Sequence, residues 1–168
     1  MATYRIGIIG AGGIAHAHVE AIRQIDEADL VAICDVSVNR AEEFGRKAGI
    51  MNYYGATKDM LSDHSFDLVI ICTWGISHAQ IGIDLARSGR VRAILCEKPF
   101  TQTAEQAEEL VSCANNEDVL VAEAFKFRHH PMHIEAQRLI ASGAIGKVLG
   151  VRSTFCTNVD LTRRRPEL

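Results

Sequence analysis

Gly10, Gly12 and Ala15 stand at the three small-residue positions of a Gly-x-Gly-x-x-Gly/Ala turn. The apolar run Ile6-Gly7-Ile8-Ile9 precedes the turn and a helical pattern follows it. In that setting the first small residue permits a tight turn and the second lets backbone N–H groups approach a pyrophosphate. The third lets the helix pack closely on the strand. Gly13 and Ile14 complete the turn, where a helix N-terminus favours negative charge. A second apolar run, Leu30-Val31-Ala32-Ile33-Cys34, ends in Asp35, close to the spacing of about 20 residues at which a dinucleotide fold places a ribose-binding acid. A carboxylate there accepts bonds from the adenosine ribose hydroxyls and repels a 2′-phosphate, which favours NAD. Arg40 is near enough to accommodate that phosphate, so NADP stays open. Glu97 and Lys98, after a third apolar run, are either a solvated charge pair or part of the same site.

These residues need a frame that brings strand ends together. Strand and helix patterns alternate along the chain, which argues for a parallel sheet covered on both faces. Ile14, Ala17, Ala21, Ile22 and Ile25 recur at helical spacing in the first helix. Residues 38–48 read as a second helix stopped by Gly49. Residues 51–54 read as a short strand and 57–62 as a brief helix. A buried strand over 66–71, a helix over 77–88 stopped by Gly89 and a strand over 92–96 follow. Thr103 and Gln106 form a T-x-x-Q capping box. The helix it opens carries Ala104, Ala107, Leu110, Val111 and Ala114 on one face, and residues 119–122 make a sixth strand. The pattern changes after residue 128. Pro131 suits a helix start, Gly143 ends that helix, and residues 148–151 read as a strand. The fold class is therefore α/β, a doubly wound Rossmann domain over 1–127, followed by 128–168 as the truncated start of an α+β second domain.

Composition sets outer limits. The chain has 168 residues, enough for one ordinary core. Its formal net charge of −3 gives no electrostatic reason to expect nucleic acid or an anionic membrane as partner. No run reaches the roughly 18 apolar residues of a membrane span. The chain enters a strand at once, without the regions of a signal peptide, so a cytoplasmic location is expected. Cys34, Cys72 and Cys96 fall near strand ends, Cys113 and Cys156 are scattered, and no CxxC occurs. They read as reduced, mostly buried small hydrophobes. His129, His130 and His133 have no acidic or cysteine partner spaced to complete a metal site. No metal is expected, and these histidines edge a cleft or cap a helix.

Four segments together resemble the Gfo/Idh/MocA oxidoreductase family, that of glucose–fructose oxidoreductase and inositol dehydrogenase. They are Gly10–Ala15 with Asp35, Cys72-Thr73-Trp74-Gly75-Ile76-Ser77-His78, Cys96-Glu97-Lys98-Pro99-Phe100, and Ala124-Phe125-Lys126-Phe127-Arg128-His129-His130-Pro131. The resemblance implies an NAD(P)-dependent oxidoreductase. It assigns Glu97 to the nicotinamide-side ribose and places Lys98 between nicotinamide and substrate as the catalytic residue. An ammonium there polarises a hydroxyl and holds the alkoxide that forms as hydride leaves. Thr73 lines the cofactor. His78 either caps its helix or contacts the cofactor. Trp74, where the family usually has proline, packs either near the nicotinamide or in the core. Arg128 reaches the nicotinamide or substrate, or makes a structural salt bridge.

Members of that family continue into a larger second domain with an Asp-x-Gly-x-x-His segment, whose histidine is the usual proton acceptor. These 168 residues contain no such segment. The chain thus reads as the cofactor-binding part, inactive alone, of an enzyme that moves hydride between a CH–OH carbon of a sugar or cyclitol and nicotinamide. The full-length protein is expected to be a homo-oligomer. The rival reading is a non-catalytic dinucleotide-binding or sensing module. An exposed strand edge near 147–156 is expected to be sticky.

Overall fold

The computed structural model describes residues 3–156. The chain divides into two units, Met1–Phe125 and Lys126–Leu168. In the first, β1 (Tyr4–Ile9), β2 (Ala28–Cys34), β3 (Asn52–Tyr54), β4 (Leu68–Ile71), β5 (Ala93–Cys96) and β6 (Leu120–Glu123) alternate with α1 (Gly13–Ile22), α2 (Val38–Ala48), α3 (Thr57–Asp63), α4 (Gly75–Arg87) and α5 (Ala104–Asn116). The strands form one six-stranded sheet in the order β3-β2-β1-β4-β5-β6, and every pairing is parallel. This is the Rossmann order, in which the direction of winding reverses between β1 and β4.

Side chains alternate along each strand, so both sheet faces carry a core. Ile6, Ile8, Ile33 and Ile70 pack with Ala15, Val19 and Ile22 of α1 and with Ala41 and Phe44 of α2. Ile9, Val69, Ile71, Ile94 and Cys96 pack with residues of α3, α4 and α5, among them Met60, Leu85 and Leu110. Each fully buried Ile or Leu in these layers contributes roughly 1.5–3 kcal/mol. Two glycines allow close approach. A Cβ on Gly7 would lie 2.9 Å from the Phe66 ring, and one on Gly82 would lie 2.7 Å from a Leu110 methyl.

The phase of α1 differs from the sequence expectation. Ala15, Val19 and Ile22 are buried, whereas Ile14 and Ile25 are 43% and 50% exposed. The turn itself sets this phase: the small residue at position 15 must face the sheet, and residues four and seven further on share its side. In α5, Leu110, Cys113 and Ala114 face inward, while Ala104 and Val111 do not. α4 begins two residues earlier than the sequence suggested, at Gly75.

The second unit holds a 3-10 turn, Lys126–His129, and α6 (Pro131–Ala141). Pro131 occupies the first turn, and the His130 ring nitrogen Nδ1 accepts the Met132 N–H at 3.2 Å as the cap. The expected strand over 148–151 does not form. Leu149 and Val151 are 90% and 86% exposed, and no described segment offers them a ladder. The expected sticky edge near 147–156 is accordingly not a strand edge. Residues 157–168 of the expected second domain lie outside the described residues.

Candidate dinucleotide site

The C-terminal ends of β1, β2, β4 and β5 carry the residues singled out above. Gly10 has a φ of +101°, and a Cβ there would lie 2.7 Å from the Cys72 carbonyl. Its N–H donates to Cys34 O at 2.7 Å, and the Cys72 N–H donates to Ile9 O at 2.7 Å. The turn is thus wedged between the ends of β2 and β4, and only glycine fits.

Gly12 is a different case. Its φ of −93° suits any residue, and a Cβ on Gly12 or Gly13 would meet nothing within 4 Å. The fold makes no demand for glycine there. The space is an open cradle at the start of α1, which has no side-chain cap. The N–H groups of Gly13 and Ile14 find no acceptor among the described residues. Unaccepted N–H groups at a helix N-terminus beside open space suit a bound pyrophosphate.

Asp35 is 7% exposed. Its Oδ2 accepts the Ala11 N–H at 2.9 Å, and its Oδ1 accepts the Ser37 N–H at 2.9 Å and Arg40 Nη2 at 2.7 Å. Burial opposes ionisation, but the Ser37 and Ala11 N–H groups and the Arg40 guanidinium outweigh it and hold the carboxyl below its ordinary range. Arg40, placed by sequence beside a 2′-phosphate, spends its guanidinium on Asp35 itself.

Glu97, at the end of β5, is 8% exposed. Its Oε1 accepts Nε2–H of His18 at 2.9 Å and its Oε2 accepts the Lys98 N–H at 3.2 Å. Lys98 is exposed, and its ammonium bonds to no described residue. The Lys98–Pro99 peptide bond is cis. Burial, with Glu97 nearby, pushes the Cys72 thiol up to about 12. Burial, with Glu123 and Glu97, does the same for Cys96. Both stay protonated at neutral pH. Cys156 is the exposed exception among the cysteines.

His78 is fully buried. One ring nitrogen lies 2.8 Å from Pro99 O and the other 3.0 Å from Thr73 O. The ring therefore ties the loop after β4 to the loop after β5. Thr73 Oγ1 accepts the Ser77 hydroxyl at 2.9 Å. Trp74 is the N-cap residue of α4 and 55% exposed, so it is no core residue. Arg128 is exposed in the 3-10 turn of the second unit. His18 went unnoticed in the sequence, since nothing local marks a helical histidine as the partner of an acid 79 residues away.

The buried polar side chains of the described residues are Asp35, His78 and Glu97, and all stand on this edge. Asp35 follows β2 and Glu97 follows β5, on opposite sides of the turn after β1. Three strand spacings separate them, about 14 Å.

A parallel sheet in this order, with a glycine cradle flanked by two fixed acids, defines the class of NAD-binding Rossmann domains. Residues 4–125 match the GFO_IDH_MocA model, described as an oxidoreductase family with an NAD-binding Rossmann fold. The chain belongs to this Gfo/Idh/MocA oxidoreductase family. It is 34% identical over 170 residues to D-xylose 1-dehydrogenase (NADP(+)) of Hypocrea jecorina, covering 94% of this chain and 43% of that enzyme. It is 29% identical over 150 residues to myo-inositol 2-dehydrogenase of Thermotoga maritima, with 89% and 44% covered. The WlbA dehydrogenase of Bordetella pertussis, solved with NADH and UDP-GlcNAcA, matches with a TM-score of 0.80 at 26% identity, over 86% of this chain and 43% of that one. The chain spans a little under half the length of the curated relatives it matches.

Proposed function

We propose that the whole protein is an NAD(P)-dependent oxidoreductase and that this chain supplies its cofactor site. Its reaction is hydride transfer between a CH–OH carbon of a sugar or cyclitol and the nicotinamide, which takes up the hydride when bound. The observation that carries the proposal is the pair of buried carboxylates on either side of the glycine cradle. The two riboses of a dinucleotide lie on either side of its pyrophosphate in the same way. Asp35 binds the adenosine ribose, the Gly13 and Ile14 N–H groups bind the pyrophosphate, and Glu97 binds the nicotinamide-side ribose. Thr73 and Trp74 border the nicotinamide side.

Lys98 is the catalytic residue in this proposal. Its exposed ammonium polarises the substrate hydroxyl and stabilises the alkoxide as charge develops. NAD is the preferred cofactor, because a 2′-phosphate would meet the Asp35 carboxylate. NADP stays open, because the Arg40 guanidinium stands beside Asp35 on the side where a 2′-phosphate would lie. The mildly acidic balance of −3 supports a small polyol partner over nucleic acid or an anionic membrane. Homo-oligomerisation, which rests on the family resemblance, and a cytoplasmic location complete the proposal.

The test separates an enzyme from a binding module. Lys98→Met in the whole protein is expected to lower NAD-dependent polyol oxidation by about 10²–10³-fold, the scale of losing one transition-state donor, with NADH affinity kept within about threefold. A wild-type protein that binds NADH but oxidises no polyol would instead establish the sensing module.

A further inference from the structure

Glu97 and His18 lie 79 residues apart in the chain, yet their side chains meet at 2.9 Å. Polar oxygens this buried need hydrogen-bond partners. The Lys98 N–H on Oε2 comes from the adjoining residue and follows the carboxylate wherever its loop goes. His18 is the donor that comes from another element. It stands on α1, and its side chain and that of Glu97 are 17% and 10% exposed. A carboxylate acceptor requires the proton on Nε2, so the ring donates. The helix whose first turn forms the phosphate cradle therefore also fixes the acid on the far side of that cradle.

We propose that His18 is a positioning residue for dinucleotide binding. It sets the Glu97 carboxylate in register with the cradle, so that the nicotinamide-side ribose meets an acceptor already in place. This rests on the dinucleotide reading above, in which Glu97 contacts that ribose. His18 itself contacts Glu97, and its effect reaches the cofactor through that carboxylate.

Two ligands divide the site. ADP carries the adenosine ribose and pyrophosphate, and ADP-ribose adds the ribose assigned to Glu97. Calorimetric titration of the full 168-residue chain with each is the experiment. His18→Leu is expected to bind ADP within about twofold of wild type. It should bind ADP-ribose about tenfold more weakly, the scale of losing a hydrogen bond to an ionised group. His18→Gln keeps an N–H donor of similar reach and is expected to recover most of that loss. His18→Asn is polar but too short to reach Glu97, so it should behave like the leucine variant and carry the test if leucine unfolds the helix. Equal losses for ADP and ADP-ribose would overturn the inference, since they would mark a general role in holding α1. Undiminished ADP-ribose binding by both His18→Leu and His18→Asn would overturn it as well. A wild-type chain that binds neither ligand would overturn the dinucleotide reading itself, a result distinct from the other two.

Discussion

Asp35 and Glu97 are both carboxyl groups less than a tenth exposed, but their oxygens find partners by different means. Asp35 relies on two backbone donors and a guanidinium within five residues of it or in the facing turn. Glu97 relies on a histidine from a distant helix. The place of the first was legible in the sequence, as an acid after a strand at the expected distance from a glycine turn, although its bonds to Ala11, Ser37 and Arg40 were not. The second was not, because a histidine–carboxylate pair across the sheet leaves no local spacing to read. The depressed Asp35 carboxyl also makes a pH prediction. A carboxyl whose folded value lies below its unfolded one stabilises the fold in full above the unfolded value of about 3.9, and that stabilisation is lost as pH falls through the folded value. Asp35→Asn is expected to cost about 2 kcal/mol at pH 7, as for a lost bond to an ionised group. In denaturant titrations the gap between wild type and variant should narrow as the pH is taken below 4. A gap that stays constant with pH would contradict this account of Asp35.

The helix ends and loops were unevenly legible at the scale of elements. Gly49 and Gly89 have positive φ at the ends of α2 and α4, as their positions implied. Thr103 accepts the Gln106 N–H at 3.3 Å, but the Gln106 side chain bonds the Gln102 N–H and not that of Thr103. The capping box is therefore displaced by one residue on its return arm. Residues 148–151 alternate like a strand but have no partner strand among the described residues, and pattern alone does not make a ladder. His78 shows the limit most clearly. The resemblance of its loop to the family's left it as a helix cap or a cofactor contact, and its ring nitrogens lie within hydrogen-bond distance of two loop carbonyls. Gly75 belongs to the same junction, since a Cβ there would lie 3.1 Å from the Pro99 ring. His78→Leu would remove the ring's N–H donor and leave one of the two carbonyls it faces, Pro99 O or Thr73 O, without that bond, at about 1–3 kcal/mol. Urea denaturation is expected to show a loss of at least 1 kcal/mol. A loss under about 0.5 kcal/mol would mean that the ring does not hold these loops together.

The whole molecule joins a Rossmann unit, complete in its six strands, to a second unit of which a turn and one helix are described. Strand and helix alternation made the first unit legible, because a parallel sheet buried on both faces writes itself as short apolar runs. The division between the two α1 faces was misread, since apolar spacing alone does not say which stripe meets the sheet. The central claim concerns the edge of that sheet: the cradle at Gly12 exists for a dinucleotide and not for the fold. Gly12→Ala isolates it, because its φ and surroundings accept a methyl group and exchanging glycine for alanine at a helix N-cap costs at most about 1 kcal/mol. Calorimetric titration with NADH of the wild-type chain and of Gly12→Ala, each first shown to unfold within about 1 kcal/mol of the other, tests the claim most directly. Saturable binding by the wild type and at least a tenfold weaker affinity in the variant, about 1.4 kcal/mol, is the predicted result. Equal affinity in the two proteins, or no binding by the wild type, would contradict it.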